Sequence, residues 1–289
     1  MNGSINPILE EELCNYGIPP ESAELIRHKD GVIVARVKTH SGTAVIKCFE
    51  RADFTREIAN YSLLRSLGIP TIGVLGSTAR SILLEDIEAS PVYRLAKEED
   101  VNDERVVVAI ARWYRQLHEK GEGYVRLRGE GMYCETDCVT EKNAAALRTR
   151  FGLEGSKGLE AFTAALPEVL KLLRAAPQTL TYNDFYYTNL AVRRDLTGAL
   201  MFDHNLLGKG CYVSDLKNVM YQLNEDNKRL FVSAYGGADE RLMLLDSVLS
   251  PVVSLISAMQ RDIFPFWAEE AAKELSSEGY TEKLRELLN

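Results

Sequence analysis

Several features are scarce in this 289-residue sequence. Cysteine is limited to Cys14, Cys48, Cys134, Cys138 and Cys211, odd in number and scattered, which excludes a disulfide framework and is the pattern of reduced intracellular thiols. Cys134 and Cys138 fall in CETDC, yet no CxxC pair or HxxxH partner exists to complete a zinc site. Basic residues are outnumbered, 34 Lys and Arg against 42 Asp and Glu, and the net charge of -8 argues against a large footprint for nucleic acid. The start, MNGSINPILEEEL, lacks the basic segment and apolar core of a secretory signal. No uninterrupted apolar run approaches the ~18 residues of a membrane span. Internal repeats and low-complexity tracts are missing too. The expectation is a cytoplasmic protein that binds neither nucleic acid nor membrane.

What is present reads as an ordinary globular chain, 46% hydrophobic and 26% charged, long enough for one large domain or two lobes. ILEEELCNYG carries apolar residues at helical spacing before the Pro19–Pro20 break. Val32–Thr39 alternates with period two, His40–Gly42 is a turn, and Thr43–Phe49 is a second strand, with a third near Ala23–Arg27. ADFTREIANYSLLRSLG predicts a helix stopped by Gly68 and Pro70. Ile72–Val74 and Ser81–Glu85 read as two more strands. After Asp86 the chain turns mostly helical, with amphipathic stretches at Glu104–Gly121, Gly158–Ala176 and Asp239–Ile263. The expected class is α+β: a small antiparallel-sheet lobe, 1–86, joined near Glu85–Ser90 to a larger helical lobe, 87–289.

The chemistry concentrates in Thr179–Leu216. Asp184 and Asn189 lie five positions apart on a loop, and a short hairpin then folds Asp203 back beside Asn189. Asp and Asn oxygens meeting at one point are hard ligands suited to magnesium, which takes one or two carboxylates plus substrate phosphates. Asp184 would sit nearby, placed to orient a hydroxyl or accept its proton. Upstream, Lys47 interrupts the apolar strand VIKCF, which is costly unless its ammonium is paired, and Glu57 on the next helix is the partner in reach. Taken singly, each residue also fits a bland role: a turn, a cap, a snorkelling lysine, a helix-start carboxylate. Their order and spacing together are more specific.

YNDFYYTN resembles the HGDxxxxN catalytic loop of the aminoglycoside phosphotransferase and choline kinase superfamily, small-molecule kinases with a protein-kinase-like fold. FDHN resembles that family's second motif, VSDL its downstream yDLA element, LLEDI its lobe-connecting segment, and ARWYRQLHEKG the helix ahead of the catalytic loop. The likeness spans roughly Arg27–Leu216. It implies that Asp184 is the catalytic aspartate, that Asn189 and Asp203 hold Mg2+, and that Lys47, paired with Glu57, contacts the phosphates of ATP or GTP. It implies that main-chain groups near Glu85 and Ile87 meet the base, and that Asp215 and Tyr182 support the loop. The partners implied are a nucleoside triphosphate and a small acceptor bearing a hydroxyl, a metabolite or an aminoglycoside-like compound.

The sequence departs from the family pattern at several points. Tyr182 and Asn183 stand where the motif has histidine and glycine, and His204 stands where an aromatic is common. The phosphate-covering segment HKDGVIVARV holds only Gly31. His204 is the one histidine near the proposed centre; His118 reads as packing, and His28 and His40 as turn residues. From Lys217 onward the chain carries twelve acidic and eight basic residues; in this superfamily those helices wall the acceptor, though helix carboxylates equally serve solubility. Two alternatives stay open: a catalytically silent kinase fold that binds nucleotide, and a phosphohydrolase built on Asp184, Asp203 and His204.

Overall fold

Asp30 and Gly31 both adopt positive φ, 54° and 80°, the backbone of a two-residue type I′ hairpin turn. This turn joins β1 (Glu24–Lys29) to β2 (Val32–Thr39), and a second reversal leads into β3 (Gly42–Phe49). These elements come from a computed structural model of the chain, which describes residues 5–153, 155–259, 261 and 265–289. Before them, α1 (Pro7–Asn15) starts on Asn6, whose side-chain oxygen accepts from Ile8 N at 2.9 Å. After them come α2 (Arg56–Ser66), β4 (Val74–Ser77) and β5 (Ser81–Glu85). The strands form one antiparallel sheet in the order β1-β2-β3-β5-β4.

The sheet has two unlike faces because successive side chains alternate. Ala44, Ile46 and Cys48 of β3, with Ile33, Ala35 and Val37 of β2, are buried together with Leu9 and Leu13 of α1. Val45, Lys47 and Phe49 therefore point the other way. The strand expected at Ile72–Val74 begins later, at Val74, and pairs with β5 through a register shift between Val74 and Gly76. β1 extends to Lys29, so His28 lies in a strand beside Glu50 (3.2 Å) rather than in a turn.

The chain continues through β6 (Tyr93–Leu95), α3 (Glu104–Arg128), α4 (Glu141–Phe151), α5 (Lys157–Ala175), β7 (Thr179–Thr181), β8 (Leu190–Arg193), β9 (Ala199–Met201) and β10 (Gly208–Gly210). It ends in α6 (Tyr212–Tyr221), α7 (Glu225–Tyr235), α8 (Glu240–Ala258), α9 (Phe266–Leu275) and α10 (Glu278–Leu288). Two compact units divide it. The first holds the described residues of Met1–Lys120, Asp184–Leu207 and Val219–Tyr235; the second holds those of Gly121–Asn183, Gly208–Asn218 and Gly236–Asn289. In the first, β6, β8 and β9 make a small antiparallel sheet.

In the second unit, Leu159, Phe162 and Leu166 of α5 share a core with Val248, Val252 and Leu255 of α8, Leu275 of α9 and Leu284 of α10. Tyr280 is buried there, its hydroxyl donating to Val248 O at 2.9 Å. By length and composition alone α8 could cross a membrane. Counting uninterrupted apolar residues misses this, since serines and Pro251 break the run without making the helix polar; half of the stretch is buried inside the unit. The helix expected to reach Ile263 ends at Ala258, and Gln260, Asp262 and Ile263 lie outside the described residues.

The helical stretch expected over Glu104–Gly121 extends further, α3 passing through Gly121 to Arg128. A Cβ there would meet Leu180 Cβ and Leu180 N, both at 2.7 Å, so the glycine lets β7 lie directly on the helix. Gly123, in the same helix, has open space at its Cβ position. Gly121→Ala should therefore cost about 1–3 kcal/mol through overpacking, whereas Gly123→Ala should gain about 0.5–1 kcal/mol from helix propensity. Denaturant midpoints of the two variants check the opposite signs.

Candidate active site

Lys47 sits on the β3 face opposite α1, and its ammonium is shared by two carboxylates. Glu57 Oε2, from the first turn of α2, is 2.5 Å from Lys47 Nζ, and Asp203 Oδ1 is 2.7 Å away. Lys47 is 7% exposed and Glu57 fully buried. Burial works against the ammonium, but the two carboxylates outweigh it and hold Lys47 above its ordinary value. Burial likewise pushes Glu57 up, against the pull of Lys47. The lysine expected to need a partner has two.

Asp203 follows β9. Pairing of Leu190 with Met201 and a bond from Phe202 N to Asn189 O (3.0 Å) close the β8–β9 hairpin and bring Asp203 back toward Asn189. Asp203 itself is left-handed, φ 62° and ψ 65°, a conformation uncommon outside glycine, asparagine and aspartate and concentrated at functional sites. Burial raises its carboxyl, and Lys47 more than reverses that, leaving it below the ordinary range. A second cation faces it: Arg27 Nη2 of β1 lies 3.8 Å from Asp203 Oδ2.

Asn189 Nδ2 donates to Asp184 Oδ2 and to Asp184 O, both at 3.1 Å. That places the amide oxygen of Asn189 on the side away from these acceptors. The Asp184 carboxyl is pushed up to about 7, first by burial and then by the charge of Asp203. Lys47, Glu57, Asp184, Asn189 and Asp203 all belong to the first unit. The cluster can bind cations through its oxygens, hold an anion near Lys47, and take up a proton at Asp184 near neutral pH.

Asp215 and Tyr182 lie in the second unit. The buried Asp215 carboxylate accepts from Tyr182 N and Asn183 N, each at 2.8 Å. Asn183 has φ 65°, which accounts for the glycine common in the resembling motif; asparagine is among the few other residues that adopt this backbone readily. Its Nδ2 is tied to Thr181 Oγ1 at 3.0 Å. Tyr182 is fully buried, a ring where the motif carries imidazole.

Glu85 ends β5, its N–H donating to Gly73 O at 2.9 Å, and Ile87 starts a 3₁₀ turn capped by Asp86. Asp86 also binds Arg36 Nε and Thr43 Oγ1, each at 2.8 Å, fixing the segment after β5. His204 is fully buried, with Nε2 2.6 Å from Thr71 Oγ1 and its ring edge-on to Tyr61, so it packs beneath the site instead of facing a ligand. Arg27, Arg36 and Asp86 were not singled out from the sequence. The Asp30–Gly31 turn marks where β1 ends, but nothing local marks which face Arg27 takes. Among the described residues no group of three or more His, Cys, Asp or Glu is arranged to hold a metal.

The second unit contains a cavity of about 100 Å³ lined by Asn183, Cys211, Ser214, Lys217, Asp246 and Ser250, among others. Its carboxylate Asp246 is paired with Lys217 at 2.9 Å.

No family model matches the chain, and no curated protein sequence matches it. Solved structures do. An ethanolamine kinase from Plasmodium vivax aligns with TM-score 0.65 at 15% identity, covering 98% of each chain. A spectinomycin phosphotransferase solved with ADP and spectinomycin gives 0.62 at 15%, covering 99% of each. A macrolide 2′-phosphotransferase from Brachybacterium faecium gives 0.59 at 16%, covering 93% of this chain and 98% of that one. The chain thus has the protein-kinase-like fold that these phosphotransferases share, the fold that the motifs implied.

The shift at Asp184 has a consequence for stability. Its value is about 7 in the folded protein against roughly 3.9 in an unfolded chain. The folded state therefore holds the proton more tightly, and stability falls as pH rises from about 4 through 7. Asp184→Asn removes the buried charge and keeps an acceptor for Asn189. Its melting midpoint should exceed that of the wild type by roughly 2–5 °C at pH 8, and the gap should close near pH 4. Thermal melts across that range check this.

Proposed function

We propose that the protein is a small-molecule kinase that transfers the γ-phosphoryl group of ATP or GTP to a hydroxyl of a small acceptor. The observation that carries the reading is the buried Lys47 ammonium held between Glu57 and Asp203, with Asp184 and Asn189 bonded to each other in the same unit. In kinase-like phosphoryl transfer such a lysine contacts the donor phosphates, an aspartate orients the acceptor hydroxyl, and most of the catalysis is positioning and charge neutralisation. The solved spectinomycin phosphotransferase holds ADP, which supports nucleotide use.

The residues present fit a magnesium ion. The donor set is hard: the Asp203 carboxylate, ionised beside Lys47, and the amide oxygen of Asn189, turned away from Asp184 by the bonds its Nδ2 makes. Two protein oxygens leave room for the water and phosphate oxygens with which magnesium completes its sphere. When bound, the ion would neutralise charge on the phosphates.

The chain's own residues carry the rest of the proposal. Glu57 keeps Lys47 protonated and aimed across the sheet face. Asp184 accepts a hydrogen bond from the acceptor hydroxyl and takes its proton as the new P–O bond forms and the bond from the γ-phosphorus to the departing ADP or GDP breaks. Main-chain groups at Glu85 and Ile87, fixed by Asp86, meet the base of the nucleotide. Asp215 holds the peptide groups of Tyr182 and Asn183, the two residues that precede Asp184 in the chain. Reduced thiols fit a cytoplasmic setting.

The test is ADP or GDP formation across a panel of sugars, amino alcohols, aminoglycosides and macrolides. Turnover with at least one acceptor is expected, falling by at least about 10²-fold in Asp184→Asn. Nucleotide binding with no turnover on any acceptor would point to a silent nucleotide-binding module, and phosphate-ester cleavage without nucleotide to a hydrolase.

A further inference from the structure

The hairpin that would cover the donor phosphates has almost no loop. In kinases a glycine-rich segment between the first two strands wraps the phosphates. Here that segment is the two-residue turn Asp30–Gly31. Gly31 O accepts from Glu50 N at 2.8 Å, which pins the turn to the end of β3. A turn of this length presents few amides, and its Asp30 carboxylate would repel phosphate. The hairpin needs another source of positive charge.

Strand register supplies one. Arg27 opposes Val34, and Val34 opposes Lys47. Residues directly opposite on adjacent strands share a face, so Arg27 and Lys47 flank Val34 on the same side of the sheet. Their backbones are about 10 Å apart, two strand spacings. β1 contains a bulge between Leu25 and Arg27. Residues two apart normally share a face; here Leu25 opposes Ala35, on the α1 side, while Arg27 opposes Val34, on the Lys47 side. Bulges re-aim side chains in this way beside functional sites. Lys29 shares the face at the hairpin tip, but Asp30 Oδ2 lies 3.9 Å from its Nζ and offsets it.

The guanidinium of Arg27 converges on Asp203 from the side opposite Lys47. At 3.8 Å from Asp203 Oδ2, with the arginine side chain 54% exposed, the pair is held by charge rather than by a hydrogen bond. The guanidinium is free to swing to a phosphate, which it can grip with two parallel N–H donors.

We propose that Arg27 binds the phosphates of the nucleotide, supplying from a bulged strand the contacts that the shortened, glycine-poor turn does not. The assignment rests on the kinase reading above. It makes Arg27 a binding residue for the donor, set on the sheet face two strands from Lys47.

Calorimetric titration of the full chain with ADP and with adenosine, in magnesium-free buffer, tests it. Arg27→Ala should weaken ADP by about tenfold, the loss expected of one charge-assisted contact, and leave adenosine unchanged. Arg27→Lys should fall between. Because the side chain is exposed, melting midpoints should stay at the wild-type value and show that the variants fold. Equal ADP affinity in wild type and Arg27→Ala overturns the assignment, as does an equal loss for adenosine. Failure of the wild type to bind ADP at all overturns the donor-site reading instead, and this assignment with it.

Discussion

A single buried ammonium organises the first unit. Lys47 lies on a strand whose other face is fully apolar, and its charge is tolerable only because Glu57 and Asp203 both reach it. Each partner comes from a different segment: Glu57 from the helix after β3, Asp203 from the end of a hairpin some 150 residues later in the chain. The pairing ties the five-stranded sheet to the β8–β9 hairpin. Removing any one member would leave a charge buried with incomplete compensation, so the arrangement constrains where α2 and Asp203 can sit. It also sets the protonation pattern: Asp203 held low by Lys47, Asp184 held high by burial and by Asp203. The two neighbouring carboxylates thereby differ in proton affinity.

Among the described residues, two of the four non-glycine positions with positive φ lie where these groups are displayed. Asp203 in the first unit and Asn183 in the second both occupy the left-handed region. Each is stabilised locally, Asp203 by its ion pairs and Asn183 by Asp215 and Thr181. Ordinary backbone at either position would send the adjoining side chain elsewhere. Arg27 is aimed by a different device, a one-residue bulge rather than a left-handed residue.

Much of this was legible in the sequence because the signals were local. The alternation in Val32–Thr39 and Thr43–Phe49 fixed the sheet, and a lysine inside VIKCF demanded a partner one helix away. The D-x4-N spacing followed by a hairpin placed Asn189 near Asp203. Other features were hidden because they depend on distant packing. The helical stretch read over Glu104–Gly121 runs on to Arg128, and nothing in the sequence shows β7 lying against Gly121. His204 looked available to a ligand, but Tyr61 and Thr71 enclose it. The face of Arg27 depends on a bulge that leaves no mark in strand periodicity. The Arg36–Asp86–Thr43 cluster joins β2, β3 and the segment after β5, a meeting that becomes visible only once the sheet is assembled.

The central claim is that Asp203, kept ionised by Lys47, forms with Asn189 a cation site that works together with a nucleotide. The most direct measurement is the dissociation constant for ADP with and without magnesium, in wild type and in Asp203→Asn. The account predicts that magnesium tightens ADP binding in the wild type and that the tightening is lost in Asp203→Asn. ADP affinity in the wild type that is indifferent to magnesium would contradict it.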